Sequence, residues 1–190
     1  MTIPTLISTN TVSSAAASTE FTSGIDSTYD EYMFVFINIK NATALAEFQF
    51  DVSLNGGTDY ETVNKCSFFH NTIHEDVDDG HEAGPNYATA PALTPVQGAV
   101  PQEMSVTNTE KSDKTLEGTL HLFSPSDTTY VKHYEGQTHH VHTDGSNTQF
   151  FSMTHGFGGY LNTTTAVNAI KFSFNDGNIT SGIIQMYGIA

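Results

Sequence analysis

Histidine is where this sequence first suggests chemistry. Nine are present, and three stand together in Thr138-His-His-Val-His142. Side chains two apart on an extended strand point to the same face, so His140 and His142 would present two imidazoles in one direction. Two nitrogens do not fill a coordination shell. Three copies meeting on a threefold axis would bring six, an octahedral set suited to a transition metal such as iron; as solvated side chains of a polar loop they would bind nothing. A second group joins His70, His74 and His81 with Glu75, Asp76, Asp78, Asp79 and Glu82, donors of the kind that hold calcium or zinc. Its spacing fits neither the calcium loop nor the zinc-binding helix, because His74-Glu75 is followed by Asp76, Val77 and Asp78. It reads as a solvated acidic loop. No metal ligand set and no cofactor is assigned.

Signatures of catalysis are missing from the sequence: it has no Gly-x-Ser-x-Gly elbow, no phosphate-binding glycine loop and no Cys-x-x-Cys pair. A glycosidase needs only two carboxylates about 5–9 Å apart and leaves no such signature, but nothing else points to one. The chain reads as non-enzymatic, with no catalytic residue. His155-Gly-Phe-Gly-Gly-Tyr160 offers a different chemistry. Phe157 and Tyr160 on a glycine-rich loop would stack on sugar rings as receptor contacts, or else fold back onto the core. The single cysteine, Cys66, has no partner for an internal disulfide and reads as a small buried hydrophobe.

Composition narrows the partners. The 190 residues carry 21 acidic groups against 6 lysines and no arginine, a formal net charge of −15. Nucleic-acid binders need basic groups to displace counterions from phosphates, so DNA and RNA are excluded as partners. The same acidity opposes docking on an anionic membrane, and no window approaches the roughly 18 consecutive apolar residues of a membrane span. The N-terminus has neither a basic region nor an apolar run of the secretory type, so synthesis and folding are expected in a cytoplasm.

The elements that must position these residues are strands. Hydrophobic residues make up 37%, but 13 Phe and 8 Tyr supply large buried areas. Residues 32–39 are aromatic and β-branched on both faces, as in a strand covered by two layers. Residues 47–54 alternate strictly, with Phe48, Phe50, Val52 and Leu54 inward and Asn55-Gly56-Gly57 ending the run. Further strands are expected at 65–70, 115–123, 129–134, 149–153, 169–174 and 182–187, the last two joined by a tight Asp176-Gly177 turn. Residues 71–101 and 135–148 read as polar excursions, the first acidic and proline-rich. No stretch sustains a helical period. The expected fold is therefore all-β, an antiparallel sandwich of jelly-roll type, one domain over residues 29–190. Residues 1–28, rich in Ser, Thr and Ala, cannot bury enough surface to fold alone. They read as an extended arm that orders against a neighbouring subunit through Ile3, Leu6, Ile7, Val12 and Phe21, or as a frayed terminus.

Three segments carry a resemblance. Phe172-Ser-Phe-Asn-Asp-Gly-Asn-Ile-Thr-Ser-Gly-Ile-Ile-Gln-Met-Tyr-Gly-Ile-Ala190 resembles an ending of bacteriophage virion proteins in which F-x-x-G-x-I-x-S-G-x-I-x-L-Y-G-I closes a small β-domain. Tyr29 to Asn38 and Phe48 to Gly57 look like the first two strands of that group. The resemblance spans about residues 26–57 and 115–190. It implies a trimeric virion component with a jelly-roll-like fold, present in the virion and made in the bacterial host cytoplasm. Its partners would be further copies of itself and the major capsid or tail proteins. Capsid decoration is the first expectation, because no fibre-like attachment domain or coiled coil is visible; a tail fibre or other receptor-binding part is the alternative. Within such assemblies His140-Val-His142 is similar to the His-x-His metal sites of some trimeric spikes and fibres.

Overall fold

The computed structural model describes residues 3–75, 84–86, 97–105, 113–143 and 150–190. Their strands are β1 (Thr5–Val12), β2 (Ser18–Phe21), β3 (Glu31–Asn41), β4 (Phe48–Ser53), β5 (Lys65–Glu75), β6 (Gly84–Asn86), β7 (Gln97–Gly98), β8 (Gln102–Glu103), β9 (Leu116–Phe123), β10 (Lys132–Thr143), β11 (Phe150–Leu161), β12 (Ala169–Phe174) and β13 (Ile179–Ile189). A larger sheet runs β1-β13-β3-β9-β10-β11-β5-β6, with β7 also on β5, and a smaller one runs β2-β12-β4-β8. Every pairing is antiparallel. The two sheets pack face to face, and the fold is the expected all-β sandwich. The chain switches sheet at each step from β1 to β5 and again from β11 to β13, as in a jelly roll. It departs from that pattern at β9-β10-β11, an up-and-down meander within one sheet.

Aromatic alternation drives the packing. Phe34 and Phe36 of β3 and Phe48 of β4 meet Phe172 of β12, whose ring lies 5.4, 5.2 and 6.1 Å from theirs, with Phe21 of β2 at 6.4 Å. Such pairs, stacked for Phe48 and tilted or edge-on for the others, add roughly 0.5–1.5 kcal/mol each beyond area burial. Strand β3 is covered on this face only; Met33, Val35 and Ile37 on the other are half-buried. The expected turn at Gly56-Gly57 holds, both at positive φ; Gly177 is also at positive φ, but Asp176-Gly177 joins β12 and β13 across the two sheets rather than as a hairpin.

Residues 3–28, the described part of the expected arm, are the main correction. They do not form a separate arm: β1 pairs with β13 and β2 with β12, one strand in each sheet. Val12 and Phe21 are buried in the molecule's own core, and Ile7 packs against it. Asn10 Nδ2 donates to the Glu20 carbonyl at 2.8 Å, stitching the two strands across the sheets. Of the five apolar anchors only Ile3 and Leu6 remain open, at 80% and 50% exposure. The Ser/Thr-rich composition hid two edge strands that need only one or two inward apolar residues apiece.

Two expected excursions are also strands. β10 and β11 pair along their whole length, from Lys132 opposite Leu161 to Thr143 opposite Phe150, so neither 135–143 nor the glycine-rich stretch at 155–160 is a loop. Residues 129–131 instead belong to a turn in which the backbone amides of Thr129 and Tyr130 donate to Asp127 Oδ1, at 2.5 and 3.0 Å. β5 extends to Glu75 and carries His70 and His74, while Asp76, Asp78, Asp79, His81 and Glu82 lie outside the described residues. Asp51 and Ser53, on the face opposite Phe48, Phe50 and Val52, are also buried: Lys65 closes over Asp51, and the turn at Asn55–Gly57 folds back onto the Ser53 hydroxyl.

Candidate functional site

His140 and His142 share a face of β10, but that face is the inner one. His140 is 1% exposed, and its ring stacks on that of His155 with centroids 5.1 Å apart and planes 17° apart. Neither ring nitrogen of His140 has a hydrogen-bond partner. Burial, followed by the neighbouring His155, His142 and His139, holds its proton affinity well below the ordinary histidine range. His142 is half-buried. Turned inward, His140 cannot face a threefold axis, and an assembly of His140–His142 pairs does not follow from this arrangement. Among the described residues no group of three or more His, Cys, Asp or Glu side chains is placed to hold a metal ion.

Strand parity separates the other expected pair. Along β11, Met153, His155 and Phe157 point inward, and Thr154, Gly156, Gly158 and Tyr160 outward. Phe157 is 4% exposed, and its ring covers Gly136 so closely that a Cβ there would lie 2.5 Å from it. It is a core residue, and its ring is turned away from the outer face. Tyr160 remains on the surface, its ring 6.4 Å from that of His133.

Around Tyr160 the outer face of the larger sheet carries a shallow trough. One depression of about 460 Å³ is lined by Cys66, Phe123, His133, Glu135, Gly158 and Tyr160 among others. It shares Glu135 and Gly158 with a second, of about 380 Å³, that reaches Thr119, His121 and Gln137. It shares Phe123 and His133 with a third, of about 530 Å³, that reaches Asp127 and Tyr130. The floor is backbone where Gly156 and Gly158 place no side chain. His121 Nδ1 is paired with Glu31 Oε1 at 2.5 Å, which fixes the ring at one end. Cys66, half-buried on this side of β5, belongs to the trough wall rather than to the core. Sequence reading found Tyr160 but missed His133, Glu135 and Gly158; alternation along 132–135 was the signal available.

The smaller sheet holds a different feature. Gln49 of β4 sits opposite Glu103 of β8, and the Glu47 and Glu103 carboxyls share a hydrogen bond. Burial first, then the charge of Glu103 and that hydrogen bond, push Glu47 up to about 7. Burial also raises Glu103. Asn175 Nδ2 donates to Glu47 Oε2 at 2.7 Å. The pair holds one proton near neutrality. Glu103→Gln is expected to move Glu47 partway down toward the ordinary carboxylate range, leaving the part due to burial. Carboxyl-carbon NMR titration of Glu47 measures this, and an unmoved midpoint would refute the coupling.

Comparison with protein-family models, with curated proteins and with solved structures found no match for this chain.

Proposed function

We propose that this chain is a non-catalytic structural protein of a bacteriophage virion, in which it decorates the capsid. The observation that carries the reading is the character of β1. Residues 1–19 contain no charged side chain in a chain of net charge −15, and β1 is the outermost strand of the larger sheet. Free edge strands are ordinarily protected by charge, proline or bulges. β1 has a bulge between Leu6 and Ser8, but Ser8–Val12 is regular and uncharged. For copies of so acidic a protein, this edge offers an approach without charge repulsion. Strand addition there suits a subunit that docks on a lattice, with further copies in a closed ring such as a trimer and with the major capsid protein as partners. The resemblance of β3, β4, β12 and β13 to strands of virion β-domains supports the same reading.

A second reading, a tail-associated receptor-binding part, is favoured by the aromatic trough around Tyr160. Copy number separates the two. Quantitative mass spectrometry of purified particles should give a ratio to the major capsid protein near one to one or one to three for decoration. About a dozen copies, as a tail with closed symmetry would carry, would transfer the protein to the second reading. Absence from particles would overturn both.

A further inference from the structure

We infer that the outer trough of the larger sheet is a binding site for a neutral oligosaccharide. The inference deepens the receptor-binding reading and rests on it only for the protein's place in the virion.

Glycine in the middle of a strand weakens it, and often marks either a strained backbone or the close approach of something else. The glycines of this sheet divide along that line. A Cβ at Gly118 or Gly136 would lie 2.3 Å from a carbonyl oxygen of the next strand, and one at Gly159 would lie 2.2 Å from the Cys66 oxygen; at these positions the protein's own packing demands glycine. Gly158 differs. A Cβ there would lie 3.3 Å from the Tyr134 oxygen and 3.6 Å from the Glu135 Cβ, a squeeze of a few tenths of an ångström, and its φ is not in the left-handed region. The squeeze is against main chain and Gly158 is buried, so packing favours glycine at 158 as well, but less strictly than at the other three. The bare strand it leaves is a floor on which an occupant can lie.

The walls select the occupant's chemistry. Tyr160, 36% exposed, with His133 and Phe123 beside it, gives flat ring faces on which the C–H face of a sugar ring stacks. Glu135, Gln137 and Asp127 accept hydrogen bonds from hydroxyls and hold their orientation. No lysine lines the trough, and a net charge of −15 repels anionic chains. Three connected depressions fit a linear ligand of several rings better than a single small molecule.

The test is a panel of neutral glucan, mannan, galactan and xylan oligosaccharides, run beside sialylated and amino-sugar oligosaccharides, by calorimetry on the full chain. At least one neutral oligosaccharide is expected to bind. Tyr160→Ala, which removes the platform, should weaken it by tenfold or more with a melting temperature near that of the unsubstituted protein, and Gly158→Val, which fills the floor, should weaken it at least as much at some cost in melting temperature. No neutral binder, binding restricted to charged sugars, or affinity unchanged in both variants would overturn the site. So would a change of oligomeric state in Gly158→Val without loss of glycan, which would make the trough a contact between copies. Failure here leaves the particle copy number, and with it the virion reading, unaffected.

Discussion

Lys65→Met should lower the free energy of unfolding by about 3–5 kcal/mol, the usual cost of stranding one partner of a buried ion pair. Lys65 and Asp51 are both fully buried, Nζ to Oδ1 at 2.5 Å. The ammonium also donates to the Val100 carbonyl at 2.8 Å. Asp51 accepts from the amides of Val52 and Glu61, at 2.8 and 2.7 Å, and Glu61 is held at a positive φ of 60°. The pair therefore ties β4, β5, the 54–64 connection and the 97–101 segment to one point. Burial pulls the lysine's proton affinity down while the Asp51 charge pulls it back up. Urea denaturation of Lys65→Met, and of Lys65→Met combined with Asp51→Asn, measures the effect. The double variant should recover part of the loss, since no uncompensated carboxylate remains. Equal losses in single and double variants would show that the lysine acts through packing alone.

Acid should weaken the fold through His140. Its proton affinity is depressed when folded and ordinary, near 6.5, when unfolded. Above that value both states are neutral at this residue and its contribution is fully present. Below it the unfolded chain takes up a proton that the folded core refuses, so stability is lost as pH falls, at up to about 1.4 kcal/mol per pH unit. Glu47 has the opposite sign. Its affinity is raised in the folded state to about 7, so its contribution is present at low pH and is lost as pH rises through that value. The clean readout is the stability difference between His140→Phe and the unsubstituted protein, in which the Glu47 contribution cancels. It should shift in favour of the variant by roughly that slope below about pH 6.5. A difference independent of pH between 7.5 and 5 would show that His140 titrates alike in both states.

How much of this was legible in the sequence depended on how loudly each strand alternates. β3, β4 and β12 place aromatic or β-branched residues at nearly every second position and β13 is rich in isoleucine, and their positions were read to within a few residues. β1 and β2 carry Ser and Thr on both faces with Val12 and Phe21 as their inward anchors, so composition outweighed pattern. β10 and β11 were cut short because histidine, glycine and threonine occupy inward positions, where a reader expects hydrocarbon. Phe157 and Tyr160 are three apart, and on any strand that spacing puts them on opposite faces; reading 155–160 as a loop concealed this. The common direction of His140 and His142 followed from their spacing of two, but which side they took depended on the neighbours that β10 acquires. The Asp51–Lys65 pair lies between residues fourteen apart, and no local rule brings them together.

The pairing of β1 with β13 has a consequence for biosynthesis. Thr5 lies opposite Gly188 and Val12 opposite Gly182, so β1, made about 170 residues ahead of β13 by the order of the chain, must wait for it. Until then β1 is an uncharged strand with two open edges, and the strand between it and β3 is missing from the larger sheet. Closing so long a loop is slow, and partly made chains with unpaired strands are prone to associate. The acidic remainder of the chain keeps such intermediates apart by mutual repulsion. Its charge would thus guard the nascent protein during the interval before β13 is made.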